Sequence, residues 1–105
     1  MNYVRLKKQA DFQRLFQTGK RAFTPSLSII YSKADVMTMG ISVGKKHGKS
    51  VQRNRIKRLL REAFRSVQKN MHGTYRILLI PKAAEEYSLN TFERHLQCII
   101  KRENL

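Results

Sequence analysis

Residues 45–69, KKHGKSVQRNRIKRLLREAFRSVQK, hold ten of the chain's 22 Lys and Arg residues and one acid, Glu62. Within the same segment Ile56, Leu59, Leu60, Ala63, Phe64 and Val67 recur at helical spacing. At about 100° per residue they fall within an arc of roughly 140°. A helix built this way has one tolerable placement. Its apolar stripe must lie on another layer of structure. Arg53, Asn54, Arg55, Lys57, Arg58, Arg61, Arg65 and Lys69 must stay outside that contact.

The rest of the chain supplies the second layer. Phe12, Leu15 and Phe16 recur at helical spacing between Ala10 and Gln17, and Thr18-Gly19 ends that short helix. From Phe23 to Tyr31, interrupted at Pro25, the pattern is that of a strand. Val36 to Val43 reads as a second, and Lys33-Ala34-Asp35 as the tight connection of an antiparallel hairpin. Ser50 is placed to cap the basic helix, and His72-Gly73 to stop it after Asn70. Ile77-Leu78-Leu79-Ile80, ended by Pro81, predicts a strand buried on both faces. Leu89, Phe92, Leu96, Ile99 and Ile100 line one side of a last helix. The order is helix, strands, helix, strand, helix, an α+β sandwich forming a single domain over residues 1–105.

A formal charge of +15 on 12.3 kDa repels itself in a compact body, so it implies an anionic partner. Nucleic acid is the first expectation and an anionic membrane surface the second. No stretch approaches the roughly 20 apolar residues of a membrane helix, and the opening MNYVRLKK has no apolar signal block. A single Cys forms no internal disulfide, which fits a reducing compartment. The expectation is a soluble cytoplasmic protein.

Solvated helix faces usually mix signs so that oppositely charged residues pair four apart. Here Arg53/Lys57, Lys57/Arg61 and Arg61/Arg65 are like-charged pairs, each costing a few tenths of a kcal/mol. A helix that destabilises itself in this way implies a ligand that compensates. Arg outnumbers Lys on the face, and guanidinium forks suit phosphate oxygens and base stacking. Asn54 can donate and accept at a base edge or a 2′-hydroxyl. The loop Gly44 to Lys49 brings Lys45, Lys46 and Lys49 to the helix N-terminus, with His47 placed for a phosphate contact. It lacks the spacing of a nucleotide-binding P-loop. The face is too uniformly cationic for a major-groove recognition helix and suits folded RNA. A membrane-surface helix would carry bulkier aromatics on its apolar side.

Nothing in the sequence reads as a protein active site. Glu85-Glu86 are the only adjacent carboxylates and are expected at a helix start, where they favour the dipole. His47, His72 and His95 have no ligand spacing. Cys98 lies opposite the last helix's apolar stripe, hence partly exposed.

Ser42-Val43-Gly44-Lys45-Lys46, then Arg53-Asn54-Arg55-Ile56-Lys57-Arg58-Leu59, then Arg61-Glu62-Ala63-Phe64-Arg65, closely resemble the RNR signature of the bacterial ribonuclease P protein subunit. Arg5-Leu6, Asp11-Phe12 and Phe16 also fall where that family places them. The resemblance implies a small basic partner of a large catalytic RNA that removes the 5′ leader from precursor tRNA. The RNA performs the cleavage with Mg²⁺, and no metal site or catalytic residue is expected in the polypeptide. It implies the order αβββαβα, a four-stranded sheet and a left-handed βαβ crossover. The RNA-facing surface would be Lys45, Lys46, Lys49, Arg53, Asn54, Arg55, Lys57, Arg58, Arg61 and Arg65. A leader cleft would use Phe12, Phe16 and a strand residue, either Tyr31, whose register relative to Gly19 is off by one, or Ile30 in its place. No obligate protein partner and no membrane are implied. A general RNA-binding or ribosomal protein would share the charge and fold class, and only the RNR string separates the two readings.

Overall fold

The computed structural model describes residues 3–105. The strands are β1 (Val4–Arg5), β2 (Lys20–Phe23), β3 (Leu27–Lys33), β4 (Thr38–Ile41) and β5 (Tyr75–Pro81). The helices are α1 (Gln9–Thr18), α2 (Ser50–Gln68) and α3 (Leu89–Glu103), with one 3-10 turn, Lys45–His47, before α2. The strands make one mixed sheet in the order β1-β4-β5-β3-β2.

β5 lies at the centre, antiparallel to β3 and parallel to β4, and α2 carries the chain between the two parallel neighbours. Its apolar run explains the position. Ile77 and Leu79 enter one core while Leu78 and Ile80 face the other, and only an interior strand covered on both sides buries both sets. Alternation along the paired strands sorts the remaining residues. Leu27, Ile29, Tyr31 and Met39 join Ile77 and Leu79 under α2 and α3, with Ile56, Leu60, Ala63, Phe64, Val67, Phe92 and Leu96. Ile30, Leu78 and Leu6 lie under α1, which contributes Leu15. Gly19 ends α1 against β3 so closely that a Cβ there would sit 2.6 Å from the Ile30 side chain.

The hairpin expected across Lys33-Ala34-Asp35 does not form. β3 and β4 do not pair, because β5 lies between them. The connection is tied to the start of β5 instead: the Ala34 N–H reaches the Thr74 carbonyl at 3.2 Å, and the Thr74 hydroxyl donates to the Ala34 carbonyl. The sheet has five strands, not four, since the short β1 adds to the edge of β4. The chain around Pro25 forms two strands, β2 and β3, joined by a turn in which the buried Thr24 bonds Leu27. Ser50 is not the cap of α2. Lys49 holds that position, and the Ser50 hydroxyl accepts from Arg53 Nη2 at 3.1 Å. Glu85-Glu86 precede the helix rather than start it. α3 begins at Leu89 behind Ser88, and the Tyr87 hydroxyl, donating to the Lys82 carbonyl at 3.0 Å, organises the intervening loop.

Candidate nucleic-acid interface

The stripe of α2 is buried as its spacing requires: Ile56, Leu60, Ala63, Phe64 and Val67 are in the core, with Leu59 partly so. The cations therefore stand on a helix that cannot roll. They form two ranks. Arg53, Lys57 and Arg61 have partly buried side chains, whereas Asn54, Arg55, Arg58 and Arg65 are exposed. Among the described residues none of these cations has an ion-pair partner. The ion pairs among the described residues are Arg76–Asp11 at 3.9 Å and Arg102–Glu103 at 3.7 Å, on other elements. Arg53 spends one Nη2 donor on Ser50, and its Nε is buried without a partner. The face is thus a rigid array of guanidinium and ammonium groups, its field uncancelled by carboxylates.

The basic loop before α2 is rigid as well, for a reason the sequence conceals. His47 is buried, not presented to a phosphate as expected. The Gly44 N–H donates to its Nδ1 at 3.0 Å, which leaves the ring proton on Nε2, 2.7 Å from the Pro81 carbonyl that ends β5. The imidazole thus clasps the loop to the sheet and leaves Lys45, Lys46 and Lys49 exposed around it. Gly48, at φ 105°, supplies the left-handed turn into α2 that side chains resist.

The face of the sheet under α1 is only half covered. Leu15 is fully buried, Phe12 half-buried, and Phe16 is 47% exposed. The Phe16 carbonyl accepts from Arg21 Nη2 at 3.3 Å, which ties the end of α1 to β2. On the same sheet face the register adds Ser28, Ile30 and Ile80, with Phe23, 60% exposed, on the edge strand. Sequence reasoning missed Phe23. The usable signal was alternation from Lys20, visible once Pro25 is read as a turn and not as an interruption.

Tyr31 does not belong to this surface. It points to the opposite face, 6% exposed, edge-on to Tyr75 with ring centroids 6.0 Å apart. Its hydroxyl donates to Glu103 at 2.7 Å, and burial together with that carboxylate pushes its pKa up to about 12. The strand residue beneath α1 is Ile30, the alternative left open by the sequence. Phe12 and Phe16 separate too. Phe12 lines a groove at the β1 edge with Arg5, Leu6, Gly40, Lys57 and Arg61, while Phe16 lies toward β2.

His95 is not a ligand but a tether, its Nδ1 lying 2.6 Å from the Ser26 hydroxyl of the β2–β3 turn. Burial and the neighbouring Arg94 lower its pKa below 6.5. Cys98 is exposed. Among the described residues no helix is long and apolar enough to cross a membrane.

Comparison with known proteins agrees with the basic helix. The sequence pattern of the family described as Ribonuclease P matches residues 1–104. The chain is 35% identical to the ribonuclease P protein component of Clostridium kluyveri over all of its own length and 98% of that protein. Against the component from Natranaerobius thermophilus identity is 36%, covering 97% of this chain and 91% of the relative. The solved RNase P protein of Staphylococcus aureus superposes with a TM-score of 0.81 at 32% identity, covering 95% of this chain and 94% of that one. The RNase P protein from Thermotoga maritima gives 0.82 at 28% identity, covering 93% and 96% respectively.

Proposed function

The chain belongs to the bacterial ribonuclease P protein family, and from that premise we propose how its surfaces divide the work. It is the protein component of the endoribonuclease that matures tRNA 5′ ends, a role carried out with an RNA subunit. The α2 face and its loop dock on that RNA: Lys45, Lys46, Lys49, Arg53, Asn54, Arg55, Lys57, Arg58, Arg61 and Arg65 neutralise and fork phosphates. The half-covered sheet face, with Phe12 at one margin, Phe16 and Phe23 at the other and Ile30 beneath, takes the single-stranded 5′ leader of precursor tRNA. Unpaired bases stack on exposed rings with little sequence preference. The observation that carries this division is the cationic face of α2, fixed by its buried stripe and without one carboxylate partner.

Cleavage in this proposal belongs to the RNA and its Mg²⁺. Among the described residues no three His, Cys, Asp or Glu side chains come together. The protein's own part is to lower the repulsion between two polyanions, so that substrate and metal are held at lower salt and Mg²⁺. A cytoplasmic location belongs to the same proposal and is supported by the free, exposed Cys98.

The test is cleavage of a precursor tRNA at low Mg²⁺ by the protein alone, the RNA alone, and both. Cleavage at the mature 5′ end that requires both is the expected result. No stimulation of a competent RNA would leave a general RNA-binding protein, and cleavage by protein alone would reveal an unrecognised active site.

A further inference from the structure

β1 is only two residues long, and its shortness opens a groove of about 470 Å³ along the outer edge of β4. The ladder stops where the Leu6 N–H meets the Met39 carbonyl at 2.9 Å. One step further the Ser42 N–H turns inward to Leu79, so the N–H and C=O of Ile41 face outward. Among the described residues no strand continues to meet them. An unpaired strand edge beside apolar side chains is an unusual surface, and most proteins cover or charge it.

Here the edge is floored by Met39, Ile41 and Leu6, walled by the rings of Tyr3 and Phe12, and rimmed by cations. Arg5 comes from β1, and Lys57 and Arg61 from the partly buried rank of α2. No acid lines the groove, and none of the three cations has an ion-pair partner among the described residues. The combination asks for a flat, mostly apolar group with a donor and an acceptor on its edge and an anion at its end. A nucleotide has that chemistry. The volume is in the range of about 300–1,000 Å³ typical of small-molecule sites. A duplex would present phosphates, and no free base face, to the apolar floor.

We propose that this groove takes one unpaired nucleotide of the RNA subunit, with its phosphate on Arg5, Lys57 and Arg61 and its base edge toward the Ile41 backbone. The assignment to the RNA subunit, not to the leader, follows from place and rests on the reading of α2 given above. The groove lies at the β1 edge and runs into the cationic face of α2, sharing only the ring of Phe12 with the proposed leader surface, whose Phe16 and Phe23 lie toward the β2 edge, at the far side of the sheet. It would give the interface a fixed point. Phosphate contacts alone can slide along a backbone, but a seated base sets the register of the helix on the RNA.

The experiment is 2′-hydroxyl acylation of the RNA subunit, free and in holoenzyme with the native protein, Arg5→Ala or Arg58→Ala, each at saturating protein. Arg5 is exposed, so its loss leaves the fold intact. One unpaired nucleotide should be protected by the native protein and by Arg58→Ala, and released by Arg5→Ala. Arg5→Ala should also bind about tenfold more weakly, the loss expected of one charge-assisted contact. No Arg5-dependent protection, or protection found in the precursor leader instead, would overturn the proposal. If Arg58→Ala binds as tightly as the native protein and the native protein stimulates no cleavage, the reading of α2 itself falls, and the groove with it.

Discussion

On one face of the sheet α2 and α3 bury twenty residues around Phe64, Phe92 and Leu79; on the other α1 buries four, Leu6, Leu15, Ile30 and Leu78. The aromatic residues divide accordingly. Phe64, Phe92, Tyr31, Tyr75 and Tyr87 are packed on the first face, and the two tyrosine hydroxyls that form side-chain bonds have defined partners. Phe16 and Phe23, beside the second, keep 47% and 60% of their surface in water. A lone exposed Leu is ordinary, but exposed rings beside a half-covered sheet are not. The thick face holds the fold, and the proposed leader surface lies on the thin one. The helix that closes the thick face displays the cations on its back, so in the proposed division stability and RNA docking share one element while leader binding does not.

That contrast can be attacked by mutation. Phe64→Ala, at the centre of the thick face, should cost about 3–5 kcal/mol, a large fraction of a total of about 5–15 kcal/mol. Denaturant melts would show it, and a loss under 1 kcal/mol would mean the thick face is not where stability resides. Phe16→Ala should change stability by no more than about 0.5–1 kcal/mol. It should nevertheless reduce the preference for precursor over mature tRNA by roughly tenfold, the worth of one stacked base. A stable variant with undiminished preference would remove Phe16 from the cleft.

Tyr31→Phe sharpens the boundary between the faces. It removes the bond to Glu103, so about 1 kcal/mol of stability should go while leader preference stays unchanged. The pH dependence has a definite sign. The folded pKa, about 12, lies above the ordinary 10.0. The stability this group contributes is therefore complete below pH 10 and lost between 10 and 12, as the unfolded chain ionises first. The Phe variant should show a flatter decline over that interval. His95 acts at the acid end. Its folded pKa lies below 6.5, so the unfolded chain takes up the proton first as pH falls past that value. Native stability should decline there, and less so in His95→Gln. Smallest of all is Arg65→Ala, four residues from both Arg61 and Lys69. Its melting curve should be unchanged or slightly improved. The salt dependence of holoenzyme assembly should be shallower by about 0.7–0.9 in log–log slope, and an unchanged slope would take Arg65 off the interface.

Much of the architecture was legible without coordinates. The period of α2 and α3 marks their buried residues, because a helix's faces depend only on local spacing. The uninterrupted run from Ile77 to Ile80 already demands a strand with cover on both sides. Pairing was not legible. β3 and β4 are consecutive, read as a hairpin, and are parted by a strand that arrives more than thirty residues later. Placing the doubly apolar β5 at the centre buries more surface than the local hairpin would, and local pattern cannot weigh that. The choice between Ile30 and Tyr31 stayed open in the sequence for a related reason. A shift of one residue exchanges the faces of a strand, and register is settled by partners far along the chain.

The sequence by itself thus determined the charge, the helix that displays it, and the family. These are properties of composition and short-range period. Only the tertiary structure decided that His47 is a clasp, that Tyr31 is core, that Phe12 and Phe16 lie toward opposite edges, and that a two-residue strand leaves a groove beside α2. Each depends on which segments meet across the sheet, and those meetings follow from burying the whole chain at once.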